Sequence, residues 1–549
     1  MKKGIFITAI LLIGAGALIG GIFGRSTTRQ SGSRALTTEK ISDDYAEALG
    51  LIEKSYVRGV DREEVLDRSI QSMLFTLDPH SNFFTQAELK KLFEEQSSEF
   101  EGIGVSILQH RDGVYVQSVV PETPAAEQGL RYGDRFVDVN GKDATKWTSA
   151  EVSKNVRGER GTKVNIKIER AGIKEPISYT ITRGGVPYPS IRNYFMLDNG
   201  VGYVGLSGGF QETTSQELDA AIADLQKHGM KSLILDLRNN VGGLLPQAIE
   251  VTSRFVEGGK TVVSVKGRSA YSKKQDLMSS SGKSHDFPLV VMINGGSASA
   301  SEIVAGAIQD YGRGLVVGSD SFGKGLVQKI YPLPYGTGLT LTTARYYTPF
   351  GRSLQRDYSN GSIYDYFSHA DEREVEKRSS SEEAAPPKPK GEAIKTADGR
   401  VLYGGRGIEP DLKAPALEIT ELRFRIAEAA FFFVRELAAG DIKGFEGYKA
   451  SRQSFVTTVA KSDLQVGETL FDRFVRFAVE DKDNGLTESL ILGQEAYAKS
   501  KIREQLATAK YSGEAGLQVL LEADPQVLKA VDAMPQATQL VQQFLARNP

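Results

Sequence analysis

The stretch that decides the fold is Asn294-Gly-Gly-Ser-Ala-Ser-Ala-Ser-Glu302, followed after an apolar segment by Ser321-Phe-Gly-Lys-Gly-Leu-Val-Gln328. Pro288-Leu-Val-Val-Met-Ile293 reads as a buried strand entering the first run, and Glu302-Ile-Val-Ala-Gly-Ala-Ile308 as a helix leaving it. Small hydroxyl residues therefore sit at a strand-to-helix elbow, where unpaired amides and the helix dipole favour a developing anion. Serine needs a base to take its proton before it attacks. Lys324, set between two glycines, is the candidate base. Pattern alone leaves two readings open, a catalytic elbow or a plain Gly/Ser turn beside a solvated lysine.

Working outward, Val201-Gly-Tyr-Val-Gly-Leu206 and Lys231-Ser-Leu-Ile-Leu-Asp-Leu237 read as strands, the second apolar enough to be buried on both faces. Between them, Thr214 and Glu217 have the spacing of a capping box for a helix carrying Leu218, Ile222 and Leu225 on one face. Alternating strands and helices predict a mostly parallel sheet with helices packed on it. After the second strand comes Arg238-Asn-Asn-Val-Gly-Gly-Leu244. Its glycine pair can expose a backbone amide to an oxyanion where a β-carbon would block it.

These segments resemble the C-terminal processing peptidases, serine proteases with a Ser-Lys dyad. The resemblance implies Ser299 as nucleophile, Lys324 as base and Gln328 as the residue supporting it, one helical turn or so beyond. It also implies an oxyanion hole at Gly242 or Gly243 with the Ala300 amide, and a ClpP/crotonase-like core. The chain departs from the usual family form at Val241, where proline is common, so either glycine could point inward. Ser297 and Ser301 are the fallback nucleophiles. A lysine base must be neutral, which burial and desolvation achieve; Phe322 and its apolar neighbours can supply that setting, and Gln328 can orient the amine. The chain has 5 histidines, all outside the glycine-rich elbows. A triad using His285, the nearest in sequence to Ser299, is the competing hydrolase reading.

Ahead of this core, expected at 190–370, residues 98–184 show short period-two strands such as Val114-Tyr-Val-Gln-Ser-Val-Val120 and Lys163-Val-Asn-Ile-Lys-Ile168. They resemble a PDZ domain, a module that adds an extended peptide to its sheet and holds the terminal carboxylate on backbone amides. Gly102, Ile103, Gly104 and Val105 match the carboxylate loop; a ligand-free bulge is the plainer reading. Arg157 is either a relay to the protease core or a solvated loop arginine.

Residues 38–97 read as helical, broken by Leu77-Asp-Pro-His-Ser81. Asp78 and His80 there suggest a capped turn between helices more than a catalytic or metal pair. At the start, Met1-Lys-Lys3 precedes an uncharged run, residues 4–24, of about the ~20 residues that span a bilayer. Residues 1–24 are thus expected to be a signal anchor or a cleaved signal peptide, with 25–37 as a tether. The rest of the chain would then be exported, anchored in the inner membrane facing the periplasm or free in the periplasm after cleavage.

Residues 371–395 are charged and Pro/Ser-rich and read as a flexible insertion. A core-closing segment follows at 396–414. Residues 415–549 look helical, with Phe471, Phe474, Val475, Ala478 and Val479 in one stripe. The resemblance does not account for this extension, whose role is either oligomerisation or adaptor docking, or capping of the core. The expected fold class is multidomain α+β.

At 549 residues the chain has room for several domains, and a net charge of −2 gives no global argument for nucleic acid. The absence of cysteine excludes disulfides and a thiol nucleophile. No clustered His/Asp set suggests a metal, and no cofactor is implied. The expected partners are protein or peptide C-termini and, through the leader, a membrane. The expected activity is a serine endopeptidase cutting exported proteins near their C-termini, with an inactive PDZ scaffold as the alternative.

Overall fold

The computed structural model describes residues 37–268, 273–282, 284–359, 366–367, 391–396, 398–450 and 452–547. The leader, nearly all of the tether, and residues 371–390 of the expected insertion lie outside them. Among the described residues no helix is long and apolar enough to cross a membrane. The chain divides into two units, Met1–Ser69 and Ile70–Pro549. In the first, helix Thr38–Ser55 starts at Thr37, whose hydroxyl accepts from the Lys40 amide, and buries none of its residues.

The second unit contains the PDZ-like module, the protease core and the C-terminal helices. In the module, strands Val105–His110, Gly113–Val119, Arg135–Val139, Lys163–Glu169 and Ile177–Thr182 pair in that order, all antiparallel. Strict alternation along Lys163–Glu169 turns Val164, Ile166 and Ile168 inward onto Val114, Val116 and Phe136. Strand Val105–His110 lies at the sheet edge beside helix Ser149–Val156, which a Thr148/Glu151 capping box starts.

The core sheet runs Ile191–Met196, Val201–Leu206, Ser232–Asp236, Leu289–Ile293, Leu315–Gly318, Leu412–Lys413. The first pair is antiparallel and the remaining pairs are parallel. Every residue of Ser232–Asp236 and Leu289–Ile293 is buried, as their unbroken apolar character requires. Helices Thr214–Lys227, Leu245–Ser253 and Ala300–Tyr311 cover one face through Leu218, Val251 and Ile303. The other face, carrying Ile234, Val290, Met292 and Val317, is covered by Val527, Ala530, Met534 and Ala537 of the C-terminal helices. A second, antiparallel sheet is built around Gly338–Tyr347 and includes Leu326–Pro332 and Asn82–Phe84.

Two local expectations are corrected. Thr214 does not cap its helix with Glu217. Its hydroxyl accepts from the Gln211 amide at 2.8 Å, and the Glu217 carboxylate reaches the Ile191 amide at 2.8 Å, tying helix to sheet. Gln328 lies on strand Leu326–Pro332, not a helical turn past Lys324, because that segment pairs with Gly338–Tyr347.

The C-terminal extension caps its own chain. Phe471, Phe474, Val475 and Ala478 pack on Phe431, Phe433 and Val434, and the same cluster takes in Tyr115 and Tyr132 of the PDZ-like module. His110 of the module stacks on Phe431 at 4.1 Å, Tyr132 donates to Gln505 at 2.7 Å, and Arg435 donates to the Gly133 carbonyl at 2.8 Å. One set of helices thus grips both the module and the core sheet.

Candidate active site

Ser299 sits at the end of the turn between strand Leu289–Ile293 and helix Ala300–Tyr311 with φ +54° and ψ −110°, a conformation costly for a residue with a β-carbon. The neighbouring hydroxyls are committed to holding this turn. Buried Ser297 accepts from the Asn294 amide at 2.9 Å and donates to the Leu237 carbonyl at 2.8 Å; buried Ser301 lies 2.9 Å from both Asn240 oxygens. Ser299 alone of the three is only half-buried.

The glycine loop closes against this elbow. A β-carbon on Gly242 would lie 2.8 Å from that of Ser299 and 3.0 Å from the Ala300 nitrogen. One on Gly243 would lie 2.3 Å from the Phe210 carbonyl oxygen. Neither position tolerates a side chain, and both have positive φ. The Gly242 amide donates to Asn240 Oδ1 at 2.9 Å. Among the described residues the amides of Gly243 and Ala300 have no such acceptor.

Glu302 joins the two halves of the site. Fully buried at 0 % exposure, it accepts at Oε2 from the amides of Ser299 and Lys324, both at 2.8 Å. Its Oε1 accepts from the Ser321 hydroxyl at 2.5 Å and the Gly323 amide at 2.7 Å. Burial pushes its carboxyl above the usual range, and these four hydrogen bonds act against that rise. Burial also lowers the Lys324 amine below an ordinary lysine, opposed by the charges of Glu302 and Asp78. Among the described residues no hydrogen bond joins the Ser299 hydroxyl to the Lys324 amine. Gln328, expected to orient that amine, instead donates its carboxamide N–H to the His80 carbonyl.

His285 is not brought to Ser299. Its ring stacks on Phe287 at 4.9 Å, ahead of the strand whose far end leads to Ser299. Five strand residues at ~3.3 Å each separate the two. Burial lowers this imidazole from its ordinary value, and it faces aromatic rings.

In the PDZ-like module, the loop at 102–105 borders a cavity of about 290 Å³ lined by Ile103, Val105, Phe136, Val152 and Val156. Gly104 has φ +90°, and a β-carbon there would meet Thr123 Oγ1 at 2.2 Å. The amides of Ile103 and Gly104 have no acceptor among the described residues. Arg157 lies over the Phe100 ring at 4.5 Å, and Arg192 over the Tyr188 ring at 3.9 Å. The two rings meet edge-on at 5.9 Å, at the passage from module to core.

The profile of peptidase family S41 matches residues 200–364 and that of the PDZ domain residues 102–181. A carboxy-terminal-processing protease of Bartonella bacilliformis is 38% identical over 312 residues, covering 55% of this chain and 70% of the relative. Carboxy-terminal processing protease CtpA of Bacillus subtilis is 32% identical over 352 residues, 64% of this chain and 74% of the relative. The chain belongs to peptidase family S41, with the carboxy-terminal processing proteases. It is a serine-type protease carrying a PDZ domain, multidomain α+β in fold. A solved photosystem II D1 C-terminal processing protease aligns over 69% of this chain and 93% of its own at 25% identity, with a TM-score of 0.35, too loose a superposition to argue from.

Sequence reasoning missed Glu302 as a site residue. Its place three residues after Ser299 carried a capping-box signal, but nothing local signalled that its carboxylate reaches the lysine turn. The proximity of His80 to that turn was likewise missed.

Proposed function

We propose that this S41 protease cleaves exported proteins near their C-termini with Ser299 as nucleophile and Lys324 as general base. The observation that carries the reading is the Glu302 carboxylate, which binds the backbone of both residues and fixes the serine elbow against the lysine turn. Neutral Lys324 would take the Ser299 proton as Oγ attacks the scissile carbonyl, and the oxyanion would form beside the Gly243 and Ala300 amides. The protonated amine would then return its proton to the leaving nitrogen, giving an acyl-serine that water hydrolyses after the same base accepts its proton. The substrate or activator tail would place its carboxylate on the loop at 102–105 and its last apolar side chain in the cavity behind it. Arg157 and Arg192, stacked at the passage into the core, would then report occupancy to the protease and gate it. Residues 1–24 would deliver the chain across a membrane and either anchor it or be removed.

Ser299→Ala and Lys324→Ala are each expected to abolish cleavage of a tail-bearing protein while leaving the Kd for the tail peptide unchanged. Cleavage persisting in both variants would discard the dyad.

A further inference from the structure

The turn Leu77-Asp-Pro-His-Ser81 is built by Asp78. Its Oδ1 accepts from the amides of His80 at 2.8 Å and Ser81 at 2.9 Å, and its Oδ2 from the Ser81 hydroxyl at 2.8 Å. Strand Asn82–Phe84 then pairs with Gly338–Tyr347, and the Thr342 amide donates to the Ser81 hydroxyl at 3.2 Å. This pins the turn, 248 positions before Gln328, against the lysine loop.

Buried His80 makes two connections there. Its carbonyl accepts the Gln328 carboxamide N–H. Its Nε2 lies 2.9 Å from the Tyr366 hydroxyl, which accepts from Gln355 Nε2 at 3.1 Å, while Gln355 Oε1 accepts from the Gly325 amide at 2.9 Å. The imidazole also stands edge-on to Phe322, Tyr366 and Phe367. Tyr366 accepts from Gln355, and its own hydrogen is free to go to Nε2 in the tautomer that carries the ring proton on Nδ1. Burial, with Lys324 nearby, pushes His80 down to about 4 and so keeps that acceptor neutral.

We propose that His80 is a positioning residue of the protease site, its carbonyl fixing Gln328 and its ring, through Tyr366 and Gln355, fixing the Gly325 amide beside Lys324. The turn is therefore part of the active site, and removing either end of the ring-mediated chain loosens the lysine loop. This rests on the reading of Lys324 as the base.

The test is the labelling of Ser299 in the full chain by a fluorophosphonate, with the maximal rate and the probe's half-saturating concentration measured separately. His80→Phe and Tyr366→Phe keep the aromatic packing and remove one hydrogen-bonding end each. Each is expected to lower the maximal rate about tenfold with half-saturation unchanged, and the double variant to be no slower than either single one. Should His80→Phe fail to fold, Tyr366→Phe decides alone. A Tyr366→Phe chain labelled at the parent rate, or a double variant whose losses multiply, overturns the proposal. Lys324→Ala labelled at the parent rate would overturn the base assignment instead.

Discussion

At the protease elbow one carboxylate, Glu302, takes four donors, and the hydroxyls two positions either side of Ser299 are tied to Leu237, just past the end of strand Ser232–Asp236, and to Asn240 of the glycine loop. At the PDZ loop the amides of Ile103 and Gly104 have no acceptor among the described residues, and the nearby arginines rest on aromatic rings. The backbone of the first region is held from within by buried acceptors, whereas the second leaves backbone donors that a ligand could take. That difference fits their tasks. Catalysis gains from groups already in place when charge develops, whereas a peptide that adds as a strand supplies its own hydrogen bonds.

Removing the centre of the assembled site should do the most damage. Glu302→Ala leaves the amides of Ser299, Gly323 and Lys324 without their acceptor, so unfolding stability in urea should drop by about 3 kcal/mol or more. Ser299 labelling should fall on the order of 100-fold. A variant within error of the parent in both would erase the contrast between the two sites.

A smaller effect comes from His80. Its imidazole titrates near 6.5 when exposed and about 4 when folded, so between those values the unfolded chain binds the proton that the folded chain refuses. Stability from this group is complete above 6.5 and is lost as pH falls toward 4, by roughly 3 kcal/mol. Urea titrations across that window should show a steeper loss for the parent than for His80→Phe. Identical slopes would mean that His80 is not held neutral. With Lys324 as the proposed base, activity is expected to rise with pH as that amine loses its proton, earlier than an ordinary lysine would.

The smallest effect is expected at the open groove. Arg157→Leu removes the guanidinium from the Phe100 ring, an exposed cation–π contact of about 0.5–1 kcal/mol. The Kd for a tail peptide should weaken only a few-fold, with melting temperature unchanged. A loss of folding would show that this arginine belongs to an assembled network after all, and would narrow the contrast.

Sequence alone determined whatever depends on neighbours along the chain. The apolar run before Asn294 had to be a buried strand, the glycine pair at 242 and 243 had to leave backbone uncovered by side chains, and the alternation in Lys163–Glu169 had to give a half-buried strand. Short spacing and period carry that information because hydrogen bonding and burial there are local. Only the tertiary structure decided which distant groups meet. Glu302 reaching the lysine turn, Gln328 turning to His80, and the C-terminal helices gripping both the PDZ domain and the core sheet all join residues far apart in the chain. An amphipathic stripe such as that of Phe471 and Phe474 states that it must be covered, but not by what. The partner is fixed only when the whole chain has folded and competing apolar faces have found their cover.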